Sequence, residues 1–209
     1  MIDCNVAGIE ITKKMSVKAK EWTDIKAPRI TQHFTQKRIS KKESIFMASL
    51  GEIAFCEMMD IDWESRKIEN KPDIDAITNK GKIMEIKTYS VPSPYFEKLI
   101  RNELDNDDLY GRCLFLEKQA HELGICDYVF WGVFQDHEYN VWYPIGYMSS
   151  HDILERYTAQ THVCDGRVKL PQIAFTVGNQ DVRKLRKWYN IADEDINIQQ
   201  GQSMEKGQV

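Results

Sequence analysis

Between residues 41 and 59 apolar side chains recur every three or four positions. Ile45, Ala48 and Cys56 fall along one side, and Phe46, Leu50 and Ile53 along the neighbouring one. That period predicts a helix. Ser40, followed three residues on by Glu43, has the spacing of a helix-capping pair. One residue breaks the pattern: Glu52 falls within the apolar stripe. A carboxylate there needs a backbone donor, a basic side chain or a metal ion as partner, because burying it alone is costly.

Over residues 73–89 the period changes to two. Met84 and Ile86 alternate with Glu85 and Lys87, and Ile74 and Ala76 alternate with Asp73 and Asp75. The polar, glycine-containing Asn79-Lys80-Gly81 separates the two runs, so the segment reads as a β-hairpin. With those three residues as the loop, Asp75 lies across from Glu85 and Ile74 across from Ile86. Both acids and the lysine then share one face, with apolar residues behind them. A one-residue slip would change these partners, and Asp73 shares the facing of Asp75.

Elsewhere the pattern predicts a short strand over 5–12, a loop or short helix over 22–38, and part helix, part acidic loop over 96–111. A helix over 112–123 is expected to stop at Gly124. The apolar, aromatic run 128–134 reads as a central strand, and 136–140 as a turn. The returning strand 141–148 carries Pro144, which marks it as an edge or a bulge. Ser150 is the expected cap of a helix over 151–158. Residues 165–190 read as irregular structure followed by a basic amphipathic helix. Strands interleaved with helices predict an α/β domain with a mixed sheet. That domain would span 1–190, with its core at about 41–158, followed by a polar tail over 191–209.

The 209 residues suffice for one domain, and 42% hydrophobic with 29% charged residues is ordinary globular composition. The net charge of −4 hides an asymmetry. Residues 1–50 and 165–190 are net basic, whereas 101–160 carry four basic residues against eleven acidic ones. Such a distribution can steer a polyanion to one side of the molecule. Lys37, Arg38, Lys41 and Lys42, with Arg183, Lys184, Arg186 and Lys187, are the candidates for phosphate-backbone contacts.

The five cysteines (Cys4, Cys56, Cys113, Cys126 and Cys164) show no C-x-x-C spacing, and the five histidines form no close pair. This argues against a cysteine zinc site, an iron–sulfur site or a histidine-rich metal site. No window approaches the roughly 18 apolar residues of a membrane span, and nothing at the N-terminus reads as a secretory signal. The expectation is an intracellular, cytoplasmic protein with free, mostly buried cysteines.

Two carboxylates on adjacent strands can hold a hard divalent ion whose remaining positions go to water and phosphate oxygens. A lysine two residues after one of them emerges on the same side and can orient water or offset phosphate charge. Asp75, Glu85 and Lys87 meet this requirement, with the main-chain carbonyl of Ile86 as a further oxygen ligand and Glu52 as a contributor from the helix. The stretch from Lys71-Pro72-Asp73-Ile74-Asp75 to Gly81-Lys82-Ile83-Met84-Glu85-Ile86-Lys87-Thr88, with Gly51-Glu52 in the preceding helix, resembles the PD-(D/E)-x-K nuclease superfamily. The resemblance covers about 41–158, including the strand near Cys126 and the Ile145-Gly146-Tyr147 strand ending.

The resemblance implies a restriction endonuclease-like core and a Mg²⁺-dependent deoxyribonuclease, an endonuclease of restriction or phage type, with Mn²⁺ able to substitute. Asp75, Glu85, Lys87 and Glu52 would be catalytic, and Asp75, Glu85, Glu52 and Ile86 would be the metal ligands. Asp73 is the alternative first carboxylate. DNA is the implied partner, with a homodimer for double-strand cleavage. A phage-type exonuclease, a resolvase, a subunit of a larger nuclease complex and a non-catalytic nucleic-acid-binding or assembly protein are the competing readings.

Overall fold

The computed structural model describes residues 7–30, 39–66 and 74–182. In chain order its elements are β1 (Ile9–Glu10), α1 (Lys13–Lys26), α2 (Lys41–Met58), β2 (Ala76–Ile77), β3 (Ile83–Val91) and α3 (Ser93–Ile100). There follow β4 (Arg112–Leu116), a 3₁₀ turn (Glu117–Gln119), α4 (Ala120–Leu123), β5 (Tyr128–Gln135) and β6 (Glu138–Ser149). The last are α5 (Ser150–Arg156), β7 (Gln160–Val163) and β8 (Val168–Gly178). Among the described residues the fold is α/β, and no helix is long and apolar enough to cross a membrane.

The main sheet has the order β1-β6-β5-β3-β2 and is mixed. Strands β3 and β5 run parallel, from Met84 beside Tyr128 to Val91 beside Gln135, and the other pairs are antiparallel. As expected of a central strand, β5 is buried over 128–134. Its side chains alternate between two cores. Tyr128, Phe130 and Phe134 pack with α1 and α2 on one face, while Val129, Trp131 and Val133 pack with α3, β4 and β8 on the other. A second sheet, β4-β8-β7, helps cover that other face.

Helix α2 starts where the capping pair predicts: the Ser40 hydroxyl accepts the Glu43 N–H at 3.1 Å. It approaches β3 closely because residue 51 is glycine. A Cβ on Gly51 would lie 1.9 Å from the Thr88 hydroxyl oxygen and 2.7 Å from its Cβ. The hairpin also forms as expected, with Gly81 at φ 79° in the turn. Ala76 pairs with Met84 and Ile77 with Ile83, a register that continued by one residue sets Asp75 across from Glu85.

Several expectations are corrected. Residues 13–26 form a helix, because Met15, Ala19, Trp22 and Lys26 make a buried stripe that begins well before position 22. Its first turn is capped by the Thr12 hydroxyl. Of the strand expected over 5–12, Ile9–Glu10 forms among the described residues. Residues 112–116 are strand rather than helix. Cys113 and Phe115 turn inward between half-buried neighbours, and this short alternation is completed by pairing with β8, some sixty residues away. The segment expected to be irregular from 165 contains β8 itself.

Strand β6 is bulged rather than an edge. It pairs with both β5 and β1, and the shift falls where Pro144 lies opposite Gly132. The turn before it needs only Asp136 and His137, both at positive φ, as in a type I′ hairpin. Helix α5 is capped by Ser149 rather than Ser150. Lys37, Arg38, Asp73, Arg183, Lys184, Arg186, Lys187 and the tail over 191–209 lie outside the described residues.

Gly51→Ala is expected to destabilise the protein. The added methyl gains helix propensity of about 1 kcal/mol but forces α2 off β3, an overpacking cost of roughly 1–3 kcal/mol. Urea denaturation checks this, and a variant at least as stable as the parent would show that the approach is not tight.

Candidate active site

On β3 the two-residue period carries Glu85 and Lys87 to the same face. The Lys87 ammonium donates to Glu85 Oε1 at 2.5 Å and to Glu122 Oε2 at 3.2 Å, and it lies 4.8 Å above the Phe115 ring. Asp75 enters from the residue just before β2. Its Oδ2 accepts the Ile86 N–H at 2.7 Å, so the first hairpin strand is tied to the motif strand between Glu85 and Lys87. The main-chain carbonyls of Ile74 and Asp75 accept from the Arg66 guanidinium, which lies over the Trp22 ring.

Glu52 reaches the same region from α2. The partner its burial demands is Lys26, whose Nζ donates to both carboxylate oxygens at 2.7 and 2.8 Å. Lys26 in turn lies over Trp22. Helix α1 therefore belongs to the site. Lys26, Arg66 and Glu122 were not among the residues expected there. For Lys26 a signal existed: it continues the Met15-Ala19-Trp22 stripe, and a lysine in an apolar stripe needs an acid just as Glu52 needs a base.

Glu52, Asp75 and Glu85 are each less than a tenth exposed. Burial raises the Asp75 carboxyl well above the usual carboxylate range, and repulsion from Glu85 and Glu52 adds to it, with Lys26 and Lys87 opposing. Glu85 is raised to about 7 by burial; Lys87 draws it down, while Glu122 and Glu52 push it up. For Lys87 burial acts downward, but Glu85, Glu122 and Asp75 outweigh it, so the ammonium is held more firmly than usual. Asp75 has no lysine or arginine of its own on its carboxylate among the described residues.

Among the described residues, no three His, Cys, Asp or Glu side chains converge closely enough to enclose a metal ion. Asp75 and Glu85, two buried carboxylates that repel one another, are a hard-oxygen donor set. It fits an ion such as Mg²⁺, which keeps waters and takes the rest of its shell from phosphate.

Glu52, Asp75, Glu85 and Lys87 line one cleft of about 1490 Å³. Lys41 and Lys42 stand exposed at the start of α2 and do not line it, and Lys42 pairs with Asp24 at 2.6 Å. Trp131 and Trp142 are fully buried, which makes them packing residues rather than a base-stacking platform.

No family model, curated protein or solved structure matches this chain. The nuclease resemblance therefore rests on the residues and their placement alone.

Without divalent ions, stability is expected to fall as pH rises from 4.5, the ordinary glutamate value, to about 7. In that window the folded protein binds more protons than the unfolded chain, so raising the pH favours unfolding; above it the contribution is constant. Urea titrations in EDTA at pH 5 and pH 7.5 test this, with Glu85→Gln expected to reduce the difference. An unchanged difference in the variant would remove Glu85 as its source.

Proposed function

We propose that this protein is a Mg²⁺-dependent deoxyribonuclease that hydrolyses phosphodiester bonds, on a core of the restriction endonuclease-like kind. The observation that carries the reading is the convergence of Asp75, Glu85 and Lys87 through one hairpin register, with Glu52 brought alongside by α2. The ion would be held by Asp75, Glu85 and the Ile86 carbonyl, and when bound it stabilises negative charge on the phosphate and activates water.

The chain's own groups divide the remaining work. Lys87 stays protonated among its acids, so it acts as a hydrogen-bond donor and a fixed positive charge rather than as a base. Its contact with Glu85 sets its direction, and Glu122 holds it from the other side. Asp75 is fixed by the Ile86 N–H, which orients one carboxylate oxygen and leaves the other for a ligand. Glu52, engaged by Lys26, acts as the rear wall of the cluster and keeps α1 and α2 in place around it. The burial of Glu52, Asp75 and Glu85 strengthens the interactions they make by lowering the local dielectric.

Purified protein with Mg²⁺ or Mn²⁺ is expected to degrade plasmid, linear or structured DNA. Asp75→Ala and Lys87→Ala should each slow this by roughly a hundredfold or more. The experiment also separates a nuclease from a DNA-binding protein without catalysis. If wild type and both variants behave alike on every substrate with either ion, the catalytic reading is wrong.

A further inference from the structure

The cleft extends well beyond the carboxylates, and its far wall is the second sheet. On β4 the alternation places Arg112, Leu114 and Leu116 on the cleft, while Cys113 and Phe115 turn into the core. Strand β8 adds Lys169, Leu170 and Pro171. Leu109 and Tyr110, respectively 42% and 37% exposed, line the same space. This wall is largely apolar, and cations are placed sparsely around the cleft as a whole.

Three of those cations are Arg29 after α1, Lys118 in the 3₁₀ turn and Lys169 on β8, and all three are exposed. Their side chains make no hydrogen bond or ion pair with described residues. The acids at the rim differ, because they are already bonded locally. Asp108 accepts the Asp105 N–H at 3.0 Å, and Asp136 accepts from the Ser93 N–H and hydroxyl. Such neutral donors leave both carboxylates charged; what sets Arg29, Lys118 and Lys169 apart from the other cations of the cleft is that no acid among the described residues is paired with them, so each can take a phosphate.

From this combination we infer that the cleft is the binding site for a single strand of DNA, which lays its bases on the β4–β8 wall and its phosphates against Arg29, Lys118 and Lys169. A duplex presents an outer surface of phosphates, and an apolar wall would strip their water without compensation. An unpaired strand exposes base faces, which apolar and aromatic side chains receive without regard to sequence. The depth of the carboxylates points the same way. Asp75 and Glu85 are 6% and 7% exposed, so a scissile phosphate reaches them only on a backbone flexible enough to bend into the cleft. The ligand class is taken from the nuclease reading above; binding tests this inference and cleavage tests that reading.

The measurement is fluorescence anisotropy in EDTA with a labelled single-stranded 20-mer and with the blunt duplex of the same sequence. The single strand is expected to bind roughly tenfold tighter or better. Its affinity should fall with salt at a log–log slope of about −2, as three phosphate contacts give. Lys118→Ala/Lys169→Ala should weaken it roughly tenfold and flatten the slope by about 1.4, with unchanged thermal melting. Leu114→Ser/Leu116→Ser should weaken single-strand binding as well, and its melting curve is compared with that of the parent.

Equal or tighter binding of the blunt duplex overturns the inference, and so does wild-type affinity in the lysine double variant. Cleavage of the same two substrates in Mg²⁺ is scored separately. Duplex cleavage with poor single-strand binding would leave the nuclease reading standing and this inference refuted. Single-strand binding without cleavage would do the reverse.

Discussion

Strand β3 has to satisfy two environments at once, and the rest of the molecule is arranged around that demand. Its Met84 and Ile86 side chains belong to the apolar core beneath α2, while Glu85 and Lys87 on the opposite face need charged partners. Neither requirement can be met by the hairpin alone, since β2 pairs with it over only two residues. The long parallel ladder with β5 supplies the backbone bonds, Gly51 lets α2 seat against Thr88, and Lys26 and Glu122 arrive from outside the hairpin to balance the charge. A parallel ladder also requires a crossover, and the segment from α3 through α4 that makes it delivers Glu122 and the first strand of the second sheet.

Burying ionic groups in this way is poor economy for stability alone. The desolvation of Lys26 and Glu52 offsets much of their attraction, and an apolar pair of the same volume would hold α1 to α2 at least as well. What the charges provide is placement. Carboxylates that burial pushes toward protonation, and a lysine held as a cation by the acids around it, form a field that is fixed before any ligand arrives. A divalent cation would relieve the repulsion already present among these carboxylates.

Much of this was legible in the sequence where the determinants are local. The capping pair at Ser40 and Glu43, the alternation across Glu85 and Lys87, and the loop of Asn79 to Gly81 each lie within a few residues, and each formed as read. Glu52 was recognisable because its charge contradicts its stripe. The same contradiction holds at Lys26, but the apolar stripe that reveals it begins at Met15, well before the loop or short helix expected over 22–38. What stayed hidden depends on distant pairing. Five residues of β4 read as easily as helix until β8 lies beside them, and β8 has no identity as a strand without β4. The second sheet, and with it the far wall of the cleft, is therefore a tertiary property that no short window contains. The unpaired cations of the cleft are single residues that follow α1 or sit on the 3₁₀ turn and β8, so no charge cluster announces them.

The Arg66 guanidinium grips the main chain of Ile74 and Asp75, not their side chains. A contact made to backbone carbonyls does not depend on which side chains those residues carry. Exchange of the side chain at position 74 therefore leaves the anchor of Asp75 intact, whereas loss of the one guanidinium at position 66 releases both carbonyls together. Tolerance at one end of the contact and sensitivity at the other follow from the same geometry.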